Sequence, residues 1–240
     1  MESNTLLTVV TTVDALDWES VGADLWERGY ASARGLLAAA ECEALIESYA
    51  DSDLYRSTVR MQAHGFGRGE YRYYAYPLPA TIALLRERLY AHLAPIANAW
   101  NEALGVAPRY PALLEEYLGL CKRGGQTRPT PLILTYGPGD YNCMHQDVSG
   151  ELAFPLQATV FLSALAGYAG GESVFTMQRP RAQSRAAVAV GDRGDLLLFA
   201  NRYRPVQSAH GFARENVRHG VSEVHRGRRY ALGIIFHDAQ

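Results

Sequence analysis

His145-Gln146-Asp147 places an imidazole and a carboxylate two residues apart. In an extended chain, residues i and i+2 point to the same face, so both side chains can converge on one ion. A third donor from a distant strand would complete a face of two imidazoles and one carboxylate. Such a face leaves the remaining octahedral positions open, as non-haem Fe(II) oxygen chemistry requires. His219 is the best third donor, since it lies in a strand-like stretch. His210 is its best rival. An H-x-D pair alone arises by chance in a chain with seven His. A loop-capping pair and a satisfied core histidine are the plain alternatives for each part taken singly; the ordered combination is what specifies a metal centre.

Arg229 opens the last strand-like run, after a turn at Gly227. Positions 229, 231, 233 and 235 then share a face and read Arg, Ala, Gly, Ile. One cation followed by two very small residues describes a clamp beside an open slot. A dicarboxylate fits that description, its far carboxylate held by a bidentate guanidinium. The opposite face, Arg228, Tyr230, Leu232, Ile234 and Phe236, is mostly bulky and suits packing. A register slip of one residue would put Arg228 in the clamp position instead.

These residues need strands to position them, and the second half of the chain supplies a strand pattern. From Pro131 onward short apolar runs recur: Leu132–Tyr136, Leu156–Leu162, Glu172–Phe175, Ala186–Val190, Asp195–Phe199, Gly220–Val224 and Arg229–Phe236. Turn residues such as Gly137-Pro138-Gly139-Asp140 and Gly170-Gly171 separate them, which predicts a sandwich or barrel. The first half mixes helix and strand. Helices are expected over Leu36–Ala50, from Pro79 through the stripe Ile82, Leu85, Leu89, Leu93, Ile96 and Trp100, and over Ala112–Leu120, ending at Gly124-Gly125. Leu54–Met61 and Tyr71–Tyr76 read as strands. The expected fold is mainly β with supporting helices: one domain over 1–240, with 1–130 as support and 131–238 as the metal-binding core.

Nearly half the residues are apolar and the net charge is -2, which excludes a disordered chain and a polycation. Charge is uneven: Thr176 to Tyr230 holds eleven Arg against four Asp or Glu. Lys122 is the one lysine among 23 basic residues, a coding bias that weakens arguments from Arg over Lys. Three cysteines without C-x-x-C spacing form neither a disulfide framework nor a zinc site. With no secretion signal and no apolar run of membrane-spanning length, a cytoplasmic protein is expected.

The second half also resembles a known superfamily. The matching residues are Tyr136-Gly137 with Gly139; His145-Gln146-Asp147; Gly170-Gly171-Glu172 and Phe175; Gly194-Asp195-Leu196-Leu197-Leu198-Phe199; and His219, Val221, Val224, Gly227, Arg229 and Tyr230. This series resembles the 2-oxoglutarate/Fe(II) oxygenases, in particular their prolyl-4-hydroxylase-like branch, and implies a double-stranded β-helix (jelly roll). Over Tyr136–Asp147 and Gln178–Arg185 it is similar to a bacterial subgroup labelled as acting on damaged DNA. The resemblance implies that His145, Asp147 and His219 bind Fe(II), that Arg229 anchors 2-oxoglutarate, and that Tyr136 hydrogen-bonds this cosubstrate. It further implies use of O2, release of succinate and hydroxylation of a substrate. Halogenating relatives carry a small residue where Asp147 stands, so halogenation is disfavoured.

Substrate contacts are expected from three groups: Tyr141 and Asn142 ahead of the metal loop, Arg179 and Arg181 in a donor-rich loop, and Arg204 with Arg202, Gln207 and Arg218. If the two Arg groups line the mouth, the substrate is anionic; if they are exposed by coding bias, they are only solvated. The leading expectation is a hydroxylase of a polar or anionic small molecule, amino acid or peptide side chain. The alternative is an oxidative demethylase of alkylated nucleic acid. The slightly negative charge and the few aromatics amid the basic stretch lower that alternative.

Overall fold

The computed structural model describes residues 2–107, 110–147 and 150–240, with side chains described from Thr8 on. Two helices, α1 (Glu2–Asp14) and α2 (Trp18–Arg28), precede strand β1 (Tyr30–Ala33). Helix α3 (Ala39–Glu47) leads to β2 (Tyr55–Arg60), the short β3 (Gly67–Arg68) and β4 (Glu70–Tyr74). Helices α4 (Ala80–Ala103) and α5 (Leu114–Arg123) follow. The second half contributes β5 (Leu132–Tyr136), β6 (Tyr141–His145), β7 (Leu156–Phe161), β8 (Tyr168–Gly170), β9 (Ser173–Gln178) and β10 (Arg185–Ala189). It closes with β11 (Leu196–Ala200), β12 (Tyr203–Ser208), β13 (Gly211–Val221), β14 (Val224–Gly227) and β15 (Arg229–Ile234).

The strands form two large antiparallel sheets that face each other, the double-stranded β-helix expected from the sequence, and β8 and β14 pair in a separate two-stranded sheet. The larger sheet runs β1-β11-β7-β15-β5-β4-β2. The smaller runs β10-β9-β13-β6-β3, with β12 paired to β13 beyond that path. Strands from the first half therefore do more than brace: β1, β4 and β2 extend the larger sheet, and β3 pairs with β6 of the smaller.

Alternation explains which side chains reach the interior. On β15 and just beyond it, Leu232, Ile234 and Phe236 join the main core with Ile82, Leu85, Leu89 and Leu93 of α4. Each fully buried leucine of that stripe stabilises the packing by about 1.5–3 kcal/mol. Polar bonds add direction: buried Arg86 of α4 donates to the carbonyls of Ile235 and Phe236 and ion-pairs with Asp238 at 2.8 Å. The other face of β15 points between the sheets.

Several elements differ from expectation for tertiary reasons. The helix expected from Leu36 starts only at Ala39, because the Leu37 N–H is taken by the Gly194 carbonyl and both Leu36 and Leu37 are buried. Strand β13 begins nine residues earlier than the expected Gly220, since it extends as a hairpin with β12 (Ser208 opposite Gly211). Its Arg214, Glu215, Asn216 and Arg218 hide that strand from an apolar pattern. Helices α1 and α2 and strands β1, β6, β8 and β12 were not among the expected elements. In α2 the local signals are caps: Asp17 accepts from the Ser20 N–H, and Gly29 at φ 78° ends the helix.

Candidate active site

His145 ends β6, and His219 lies directly opposite it on β13 in the antiparallel register. Cross-strand partners put their side chains on the same face. Here both rings turn inward, with centroids 4.3 Å apart. The register shifts after His219, and Gly220 sits in that irregularity: a Cβ there would come within 2.6 Å of the Asn142 carbonyl oxygen. Asp147 follows two residues after His145 and completes the face. One donor atom from each of His145, Asp147 and His219 lies within 4.8 Å of the others.

The surroundings orient these donors. His145 Nδ1 lies 2.7 Å from the Cys143 carbonyl, which can only accept, so Nδ1 carries the proton and Nε2 presents its lone pair inward. The Asp147 backbone is clamped by buried Asn201, whose Oδ1 accepts the Asp147 N–H at 2.9 Å and whose Nδ2 donates to the Asp147 carbonyl. Gln146 points its amide away, donating to the carbonyls of Arg202 and Val217 at 2.8 Å each, which ties the loop to β13. Gln157 of β7 donates to Asp147 Oδ2 at 3.1 Å. Sequence reasoning singled out neither Asn201 nor Gln157; a polar residue inside an apolar strand run was the signal available for Gln157.

Charge states follow. Burial raises the Asp147 carboxyl, but the hydrogen bonds and charges of His145 and His219 outweigh it and hold it well below the usual carboxylate range. Burial disfavours the charged form of His145, yet Asp147 and the Cys143 carbonyl win and raise its pKa. For the more deeply buried His219, burial dominates and the pKa is lowered. Two imidazoles and an ionised carboxylate with convergent donors suit a divalent first-row ion such as Fe(II).

Across the cavity, Arg229 pairs in register with Tyr136 of β5. Its guanidinium is 2% exposed and lies 5.5 Å from the centroids of both the Tyr136 and Phe161 rings. Its Nε has no hydrogen-bond partner, and among the described residues no carboxylate lies within ion-pair distance. The Glu172 carboxylate feels Arg229 through space but is committed to the Ser222 hydroxyl. Gly171 makes room for the arginine: it sits at φ 69°, and a Cβ there would meet Arg229 Cδ at 2.9 Å. Burial pushes the Tyr136 hydroxyl up to about 12, so it remains a donor.

One cavity of about 520 Å³ contains both halves of this arrangement. Arg229, Ala231, Gly233 and Ile235 all line it, as the alternation on the last strand requires. Arg228 is exposed on the other side, and His210 and His225 are exposed away from the cavity. His237 is buried, with Nδ1 accepting the Phe154 N–H.

The substrate candidates divide. Asn142 lines the cavity, and its Nδ2 reaches the Tyr136 hydroxyl at 3.5 Å. Tyr141 pairs with Arg68 and does not line it. Arg204 is buried elsewhere, held by Glu215 at 2.7 Å and by the Trp26 carbonyl. Arg179 also leans on Glu215, and Arg181 is an exposed turn residue at φ 60°. The structure thus does not bring Arg179, Arg181 or Arg204 to the cavity; Arg179 and Arg204 spend their charge on Glu215, and Arg181 faces solvent.

The fold is shared with solved 2-oxoglutarate/Fe(II) oxygenases. A prolyl hydroxylase from Trichoplax adhaerens, solved with a hypoxia-inducible-factor peptide fragment, matches with TM-score 0.57 at 12% identity, covering 95% of this chain and 91% of that one. An oxidoreductase of the 2OG-Fe(II) oxygenase family from Burkholderia pseudomallei matches with TM-score 0.55 at 16% identity, covering 94% of each. Residues 69–239 match a family model described as "Oxygenase, catalysing oxidative methylation of damaged DNA", and the chain belongs to this Oxygenase-NA family. The uncharacterized protein Rv2227 of Mycobacterium tuberculosis (strain ATCC 25618 / H37Rv) is 45% identical over 164 residues, 68% of this chain and 70% of that protein. Among the described residues, no helix is long and apolar enough to cross a membrane.

Proposed function

We propose that the chain acts as a single-domain 2-oxoglutarate-dependent hydroxylase. In this reading His145, Asp147 and His219 hold Fe(II), Arg229 anchors the far carboxylate of 2-oxoglutarate, and Tyr136 donates to the bound cosubstrate. The observation that carries it is the joint presence, in one cavity, of a three-donor face and a buried guanidinium lacking a carboxylate partner. Burying a cation without a counter-ion is costly, and an anionic ligand removes that cost. Fe(II) with 2-oxoglutarate would supply activation of O2 for oxidation of a substrate C–H bond. The chain's own residues do the rest. His145 is locked in the tautomer that offers Nε2, Asp147 stays ionised, and Ala231 and Gly233 leave the slot open beside Arg229.

Apart from Arg229 and Asp147 of the donor face, no Arg, Lys, Asp or Glu lines the cavity among the described residues, and Phe66, Tyr71, Tyr73, Asn142 and Thr159 are among the groups it presents. This supports a small molecule, amino acid or peptide side chain whose reacting part is neutral, and it narrows the anionic expectation. A demethylase of alkylated nucleic acid is the second reading, favoured by the description of the family. Succinate release in the presence of Fe(II), measured against panels of amino acids, peptides, nucleotides and methylated DNA, tests both; formaldehyde released from methylated oligonucleotides selects the second. His145→Ala, Asp147→Ala and His219→Ala should each lose metal binding and turnover. Full iron binding by His219→Ala would refute the ligand assignment.

A further inference from the structure

Gln157 is buried at 5% exposure, lines the cavity, and belongs to the inward face of β7. Its Nε2 lies 3.1 Å from Asp147 Oδ2 and 3.0 Å from His219 Nε2. The assignment of the amide ends follows from chemistry. An ionised carboxylate oxygen only accepts, so the NH2 end must face it. The other end, Oε1, is buried and has no hydrogen-bond partner. A half-satisfied amide is an unfavourable way to fill a core position, since an apolar side chain of similar volume leaves no orphan acceptor. Packing therefore does not account for glutamine here, whereas its NH2 end contacts two members of the donor face.

We propose that Gln157 is a positioning residue that fixes the attitude of Asp147 toward the metal, an inference that rests on the ligand assignment above. One NH2 proton holds Oδ2, which fixes the rotation of the carboxylate about its bond to the chain. In that setting Oδ1 lies 3.4 Å from His145 Nε2 and Oδ2 lies 3.2 Å from His219 Nε2. Without the amide, the carboxylate can rotate and the donor set loses its order. Partners that orient metal ligands in this way typically change metal affinity by 10- to 100-fold when removed.

The test is a Mn(II) titration of the full chain, without 2-oxoglutarate, followed by the free-ion EPR signal. Gln157→Met keeps volume and removes the hydrogen bond. It should raise the Mn(II) Kd by roughly 10- to 100-fold with unchanged far-UV circular dichroism. An unchanged Kd in folded Gln157→Met overturns the role of Gln157 alone; wild-type protein that binds no Mn(II) overturns the ligand assignment as well. If the variant does not fold, the wild type still decides. With 15N-labelled glutamine and Zn(II), the Gln157 NH2 protons should remain protected from solvent exchange. Exchange at the rate of a free amide would sink the proposal.

Discussion

Replacing Arg229 with Gln separates a ligand-binding arginine from a structural one, because the two roles predict opposite changes in the ligand-free protein. The guanidinium is 2% exposed and makes no ion pair among the described residues. Desolvating an isolated cation costs several kcal/mol. The Tyr136 and Phe161 rings, each 5.5 Å away, return up to about 2 kcal/mol apiece. Tyr168 and the Glu172 charge also favour the cation, and the balance leaves Arg229 neutral or unfavourable by up to about 1 kcal/mol in the free protein. For a chain of this size 1 kcal/mol moves Tm by about 2–4 °C. Ligand-free Arg229→Gln should therefore melt at the wild-type temperature or up to about 4 °C higher. Its affinity for 2-oxoglutarate should fall, since truncating one partner of a buried charge pair costs about 2–5 kcal/mol. Taking about 3 kcal/mol, Kd rises about 150-fold. Calorimetric titration with 2-oxoglutarate and differential scanning calorimetry of the free protein measure the two quantities. A variant that keeps wild-type affinity, or that loses more than about 5 °C without ligand, would show that the cation serves the fold and not an anion.

Asn201→Ala removes both clamps on the Asp147 backbone and should lower stability by about 1–3 kcal/mol in denaturant melts while weakening metal binding about tenfold. Gly171→Ala forces a Cβ against Arg229 Cδ at a left-handed φ; it should cost at least about 1 kcal/mol and raise the 2-oxoglutarate concentration needed for half-maximal succinate formation. His237 provides a pH effect on stability. Burial lowers its pKa from 6.5 to about 4, so the folded state rejects a proton that the unfolded chain accepts. Its contribution is intact above pH 6.5 and is lost as pH falls toward 4, amounting to about 2 kcal/mol at pH 5. His237→Asn, which keeps an acceptor for the Phe154 N–H, should flatten urea-midpoint stability between pH 7 and 5 if this linkage is real.

The residues proposed to carry the chemistry were legible because their constraints are local. His145 and Asp147 are two apart, and Arg229, Ala231, Gly233 and Ile235 follow the period of a strand, so sequence alone could assign them to one face. Apolar runs marked β5, β7, β11 and β15, because helices or the facing sheet cover most of their side chains. That signal failed for β13, where exposed Arg214, Asn216 and Arg218 alternate with buried residues that include Glu215, and for β6, whose Tyr141–His145 reads as a polar loop.

What only the tertiary structure decided is which donors and cations share a cavity. That depends on pairing between strands far apart in sequence, such as His145 opposite His219 and Arg229 opposite Tyr136. It also depends on which arginine finds a carboxylate first. Arg204 was as reasonable a substrate contact as any on composition, yet Glu215 neutralises it eleven residues away across a hairpin. Among the described residues Arg229 has no such neighbour, which leaves its charge open to a ligand. Composition counts charges; only the fold determines which of them are already paired.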